Sequence, residues 1–142
     1  MNKSHLTGYQ LALLKIPVSD IQRSATFYRD ALGFRQEFVS PQYGWAQLAA
    51  GDVPVALYRP GMGGGDGHIG GSTGFHLSLP APRFDTLAAA LLVQGVLVEG
   101  RVHHGDDGTV FLDVRDPDGN TLKIMRNAEE AAKASEPMSP GS

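Results

Sequence analysis

Apolar positions along the chain recur first with period two and then with a helical period, before returning to period two, and the chain runs through this series twice. Residues 10–18, QLALLKIPV, set Leu14, Ile16 and Val18 against Leu13, Lys15 and Pro17, the pattern of a strand with two unlike faces. Asp20 is placed to cap a helix. Ile21, Ala25, Phe27, Tyr28, Ala31 and Leu32 then follow at helical spacing, with Gly33 to close it. Three short strands are predicted over residues 34–39, 45–50 and 53–59, separated by Pro41 and Gly44 and then by Gly51 and Asp52. The series restarts at residues 75–80, where Phe75, Leu77 and Leu79 alternate with His76, Ser78 and Pro80. A helix from Pro82 to Gln94 carries Phe84, Leu87, Ala88, Leu91 and Leu92 on one stripe, and Gly95 ends it. Strands are predicted over 96–102, 109–115 and 121–126. The order strand, helix, three strands therefore occurs twice, and Gly33 and Gly95 hold the same place in each copy, which marks an internal duplication.

Between the copies, residues 60–74, PGMGGGDGHIGGSTG, are too poor in apolar side chains to pack a core and read as a flexible connector that also has the reach of a mobile flap. They lack the GxxxxGK[ST] pattern of a phosphate-binding loop. The expected organisation is an N-terminal arm (1–9), a single domain (10–126, with units 10–59 and 75–126) and a polar, disordered tail (127–142).

Composition narrows the classes. A length of 142 residues suits one domain, and 42% apolar residues suffice for a soluble core. A net charge of -3 argues against a broad nucleic-acid footprint, which needs a basic face. The absence of cysteine removes disulfides and thiolate metal sites. No apolar run approaches the ~18 residues of a membrane helix, and the start, MNKSHLTGYQ, lacks the apolar core of a secretion signal, so the expectation is a cytoplasmic protein.

The two βαβββ units, the segment IPVSDIQRSATFYRDALGF (16–34) and the turn-strand RDPDGNTLKI (115–124) together resemble the vicinal oxygen chelate superfamily, the group of glyoxalases, bleomycin resistance proteins and extradiol dioxygenases. The resemblance covers residues 10–126. It implies an α+β fold in which the two units form a cupped mixed β-sheet with the helices outside, and it implies a homodimer. It also implies, in the enzymes, one divalent metal held by His or Gln, Glu, His and Glu. Carried over by position, those four places are Leu13, seven residues before Asp20; Ala56; His76; and Lys123, six residues after the proline of DPDG. Leu13 and Ala56 have no donor atom, and lysine is charged at an ordinary pKa of about 10.4 and repels a cation. No metal and no other cofactor is expected there. His103 and His104 precede Asp106 and Asp107, but strand neighbours point to opposite faces, so a solvated turn is the expectation for them.

The residues assigned to a ligand site by parity and resemblance are Leu13, Lys15, Trp45, Ala56, Tyr58, His76, Ser78, Phe111, Asp113 and Lys123. His76 is read either as a ligand contact or as a histidine satisfied by Ser78 or Asp113. Lys123 is read either as a contact to an anionic or carbonyl oxygen, aided by Lys15, or as the partner of Asp113 across the strands. Tyr43, Trp45, Tyr58 and Phe111 offer flat surfaces to an aromatic ligand. Three functions compete. The first is a metal-free protein that sequesters a small aromatic or anionic molecule, as antibiotic-resistance members of the superfamily do. The second is a metal-dependent or metal-free lyase, isomerase or dioxygenase. The third is a domain whose cup is filled by its own side chains and whose role is protein association.

Overall fold

The computed structural model describes residues 8–127, so the tail over 128–142 and most of the N-terminal arm lie outside the described residues. The chain divides after Ile69 into two compact units. The first contains β1 (Leu14–Pro17), α1 (Ile21–Asp30), β2 (Arg35–Ser40), β3 (Trp45–Ala50) and β4 (Val53–Tyr58) in the sheet order β1-β4-β3-β2. β1 runs parallel to β4, and the other neighbours are antiparallel. Asp20 caps α1 by accepting a 3.0 Å hydrogen bond from the Arg23 N–H, which satisfies one of the free donors at the helix start. Ile16, Leu48, Val55 and Leu57 are fully buried on the sheet face that receives Ile21, Ala25 and Tyr28 of α1.

β1 is shorter than the stretch 10–18 that the alternation suggests. Its ladder with β4 begins at the Leu14–Val55 pair, and the next residue of β4, Pro54, has no N–H with which to extend it. Leu13 therefore precedes the strand, half-buried.

The second unit repeats the arrangement with β5 (Ser72–Pro80), α2 (Ala81–Gln94), β6 (His103–His104), β7 (Val110–Arg115) and β8 (Thr121–Asn127), ordered β5-β8-β7-β6. The first and last strands are again parallel neighbours, so the duplication seen in the sequence is a duplication of topology. α2 packs on β5 and β8. It ends in a tight left-handed turn: Gly95 has φ 74, its N–H donates to the Leu92 carbonyl, and the Val96 N–H donates to the Leu91 carbonyl. Leu112, Val114, Leu122 and Ile124 are buried on the face beneath α2.

Two expectations change here. Residues 96–102 alternate like a strand, yet only Leu97 pairs, with Val114, because Glu99 (φ 61) and Gly100 (φ 68) take left-handed backbone and break the ladder. β6 is left with two residues. The connector is also shorter than 60–74: β5 begins at Ser72, and the Thr121 N–H donates to the Gly71 carbonyl at 3.0 Å.

Candidate functional site

In each unit one face of the sheet lies under the helix and the other is free of it. On the helix-free face of the first unit, cross-strand register aligns Lys15, Ala56, Gln47 and Phe38 in one row and Pro17, Tyr58, Trp45 and Ser40 in the next. The cross-strand neighbour of Ala56 is thus Lys15 rather than Leu13.

This face carries the glycine-rich segment. The Lys15 ammonium donates to the Gly64 carbonyl at 2.6 Å and sits 4.6 Å from the centre of the Tyr58 ring. The Tyr58 hydroxyl donates to the Asp66 carbonyl at 3.0 Å. A Cβ on Gly64 would stand 3.1 Å from the Trp45 ring, and one on Gly67 would overlap the Tyr58 hydroxyl. Neither position has positive φ, so these two glycines are needed for space and not for backbone freedom. The expected loose connector is, over 61–67, a strap seated on Tyr58 and Trp45, and Tyr58 is only 5% exposed beneath it.

On the helix-free face of the second unit, His76, Lys123 and Asp113 form one row and Ser78, Met125, Phe111 and His103 the next. The Lys123 ammonium lies 3.2 Å from an Asp113 carboxylate oxygen and 3.7 Å from the centre of the Phe111 ring. The His103 ring stacks on Phe111 at 5.1 Å with planes 14° apart, and its Nε2 is shut from water without a hydrogen-bond partner. His76 and Ser78 are exposed. His104, one residue on from His103, projects from the opposite face, as strand geometry requires.

The turn before β8 sets the register of this row. Asp116, 5% exposed, accepts hydrogen bonds from the N–H groups of Asp118 and Asn120 and from the Asn120 side-chain amide, each 2.9 Å long. Asn120 in turn accepts from the Gly70 N–H at 2.6 Å, which ties the start of β5 to the turn. These bonds explain the residue types in DPDGN without any role in chemistry. They fix where β8 begins, and so where Lys123 points.

The residues brought together here that the sequence reading left out are His103, Met125, Gln47 and the strap glycines. For His103 the available signal was its place two strands from Lys123 on the same parity; for Gly64 and Gly67 the sequence holds no such signal.

A family model for the glyoxalase/bleomycin resistance protein/dioxygenase superfamily matches residues 7–124. The chain belongs to that superfamily. Solved structures agree on the fold. A superfamily member from Sphaerobacter thermophilus is 25% identical with a TM-score of 0.68, the match covering 86% of this chain and 99% of that one. Lactoylglutathione lyase from Agrobacterium tumefaciens is 18% identical with a TM-score of 0.64, covering 85% and 97%. The bleomycin-binding protein from Streptomyces verticillus, solved with copper(II)-bleomycin, is 18% identical with a TM-score of 0.60, covering 85% and 98%. No curated protein matches the sequence. Enzymes of the superfamily hold a divalent metal, and the residues at the matching positions here do not fit one. Of Leu13, Ala56, His76 and Lys123 only His76 offers a donor, and Lys123 contributes a cation. Among the described residues no group of three or more His, Asp or Glu gathers where it could hold an ion.

Proposed function

We propose that the protein is a small-molecule binding protein of the bleomycin-resistance kind, which sequesters an aromatic or anionic ligand on its helix-free sheet faces without a metal ion, as a cytoplasmic homodimer. One observation carries the reading. The Lys123 ammonium rests against Asp113 and over Phe111 where the superfamily's enzymes place a metal-binding carboxylate. A cation there disfavours a second cation and favours an oxygen of the ligand. Beside it, the His103–Phe111 stack gives a flat apolar surface for an aromatic ring. Sequestration needs only these contacts, and the bleomycin-binding protein of similar fold, solved with copper(II)-bleomycin, supports the reading.

Two measurements test it. Protein purified without chelator should carry no stoichiometric Ni, Zn, Fe or Mn, and its Tm should not change with EDTA. Stoichiometric metal would overturn the metal-free reading and point to a lyase, isomerase or dioxygenase. A panel of aromatic acids and aromatic antibiotics should contain compounds that raise Tm and change Trp45 fluorescence, with the response lost in Lys123→Met. A panel that produces neither effect would overturn sequestration. Sedimentation at micromolar concentration tests the dimer, and cell fractionation the compartment.

A further inference from the structure

The second unit has a cleft on its other side, between α2 and the strands β6, β7 and β8, with a volume of about 410 Å³. Phe84 and Ala88 of α2 line it from above, and Val102, just before β6, and Val110 of β7 line it from the opposite side. Arg126, Asp85 and the exposed His104 supply its polar groups. None of these residues belongs to the helix-free face described above.

Arg126 is out of place by pattern. It follows Leu122 and Ile124 on the face of β8 that α2 covers, and those two are 1% and 2% exposed. An apolar residue would continue the stripe. Instead a guanidinium enters the cleft with its Nε shut from water and without an aligned hydrogen-bond acceptor. Its nearest anion is Asp85, on the surface of α2 with its side chain 62% exposed. The two Asp85 oxygens lie 3.3 Å from Nε and 3.4 Å from Nη2. That is the side-on fork in which arginine holds a carboxylate, but each arm exceeds the ~2.7–2.9 Å of a tight charge-assisted bond. Asp85 thus occupies a carboxylate seat loosely, and an exposed ion pair of this kind is cheap to break.

We propose that this cleft binds a small organic acid, with the ligand carboxylate replacing Asp85 on the Nε–Nη2 edge of Arg126 and an apolar body lying against Phe84, Ala88, Val102 and Val110. The cavity volume suits a molecule with one ring or a short branched chain. Asp85 swings into water when the ligand enters, and His104 closes the rim. The site is independent of the function proposed for the helix-free faces.

The test uses the full chain, ¹⁵N-labelled, titrated with 3-phenylpropionate and, in parallel, with the neutral 3-phenylpropanol. Saturable shifts are expected at the Arg126 Nε–H and at the amides of Ala88, Val102 and Val110, with the alcohol binding about tenfold more weakly for want of the charge-assisted fork. Asp85→Asn vacates the seat and should tighten binding about two- to fivefold, the size of an exposed ion pair. Arg126→Lys keeps the charge but loses the fork and should weaken binding about tenfold, with the amide spectrum of the free variant reporting that it is folded. The proposal is overturned if the acid gives no saturable shift at these residues, if shifts appear only at Lys15, His76 or Lys123, if the alcohol binds as well as the acid, or if Asp85→Asn weakens binding.

Discussion

Gly67→Ala should lift the strap from the first unit. The new methyl group would overlap the Tyr58 hydroxyl and stand 3.2 Å from the Pro17 Cβ, and the backbone φ there imposes no strain of its own, so the effect is steric alone. Relief requires the segment to move off Tyr58, which breaks the bond from its hydroxyl to the Asp66 carbonyl. An overpacked contact costs about 1–3 kcal/mol and a lost partly buried hydrogen bond about 1 kcal/mol, so the seated strap should lose about 2–4 kcal/mol. If the strap opens locally, the loss of global stability is smaller than this, and a Tm fall of about 3–8 °C brackets the outcome. Trp45 is the only tryptophan, and a Cβ at Gly64 would touch its ring, so the strap sits on the reporter. Its emission should shift to the red as water reaches the indole. Asp66→Ala is the control, because Tyr58 bonds to the backbone of that residue and not to its side chain. The reasoning is refuted if Gly67→Ala keeps the parent's Tm and emission maximum, or if Asp66→Ala shifts them equally.

Three further outcomes are expected. Asp116→Ala removes at least three hydrogen bonds from a buried turn, so urea unfolding should show a loss of about 3 kcal/mol or more, against about 2 kcal/mol for Asn120→Ala. Lys123→Met leaves Asp113 with its charge unpaired and should cost about 1–2 kcal/mol, whereas Lys123→Met with Asp113→Leu should recover most of that loss; equal losses in the single and double variants would show that the pair is not coupled. The Asp107 carboxyl is held below its ordinary pKa by the backbone N–H of Thr109, then by the Thr109 hydroxyl. Its contribution to stability is therefore present above the unfolded-state carboxylate pKa and is lost as pH falls through the lower folded-state value. Asp107→Ala should be less stable than the parent at neutral pH, and the difference should vanish in strong acid; a difference that persists there would contradict the assignment.

Much of this fold is legible in residue order. Asp20 and Gly95 perform the capping that their types suggest, and the repeated pattern corresponds to two sheets with the same strand order. What escapes the pattern depends on contacts or on backbone states that residue type does not encode. Glu99 adopts left-handed φ although it is not glycine, so the alternation of 96–102 gives no warning that the strand is broken there. The glycines of 61–67 read as freedom of movement, whereas Gly64 and Gly67 are defined by the side chains that press on them. Parity placed Lys15, His76, Asp113 and Lys123 on helix-free faces, but it could not show that the Lys15 ammonium already has a carbonyl partner. Any anion that recruits Lys15 must compete with Gly64.

The parallel pairing that closes each unit carries a kinetic consequence. Leu14 meets Val55, and His76 meets Lys123, only after the rest of that unit has been laid down between them. The antiparallel pairs β2–β3, β3–β4 and β7–β8 join residues close in sequence and form with little loss of chain entropy. β1 and β5 are therefore the last strands to dock in their units, and β1, with four residues, has the shorter ladder to hold it. Hydrogen exchange in the native protein should find β1 opening before β5, and well before the β3–β4 hairpin.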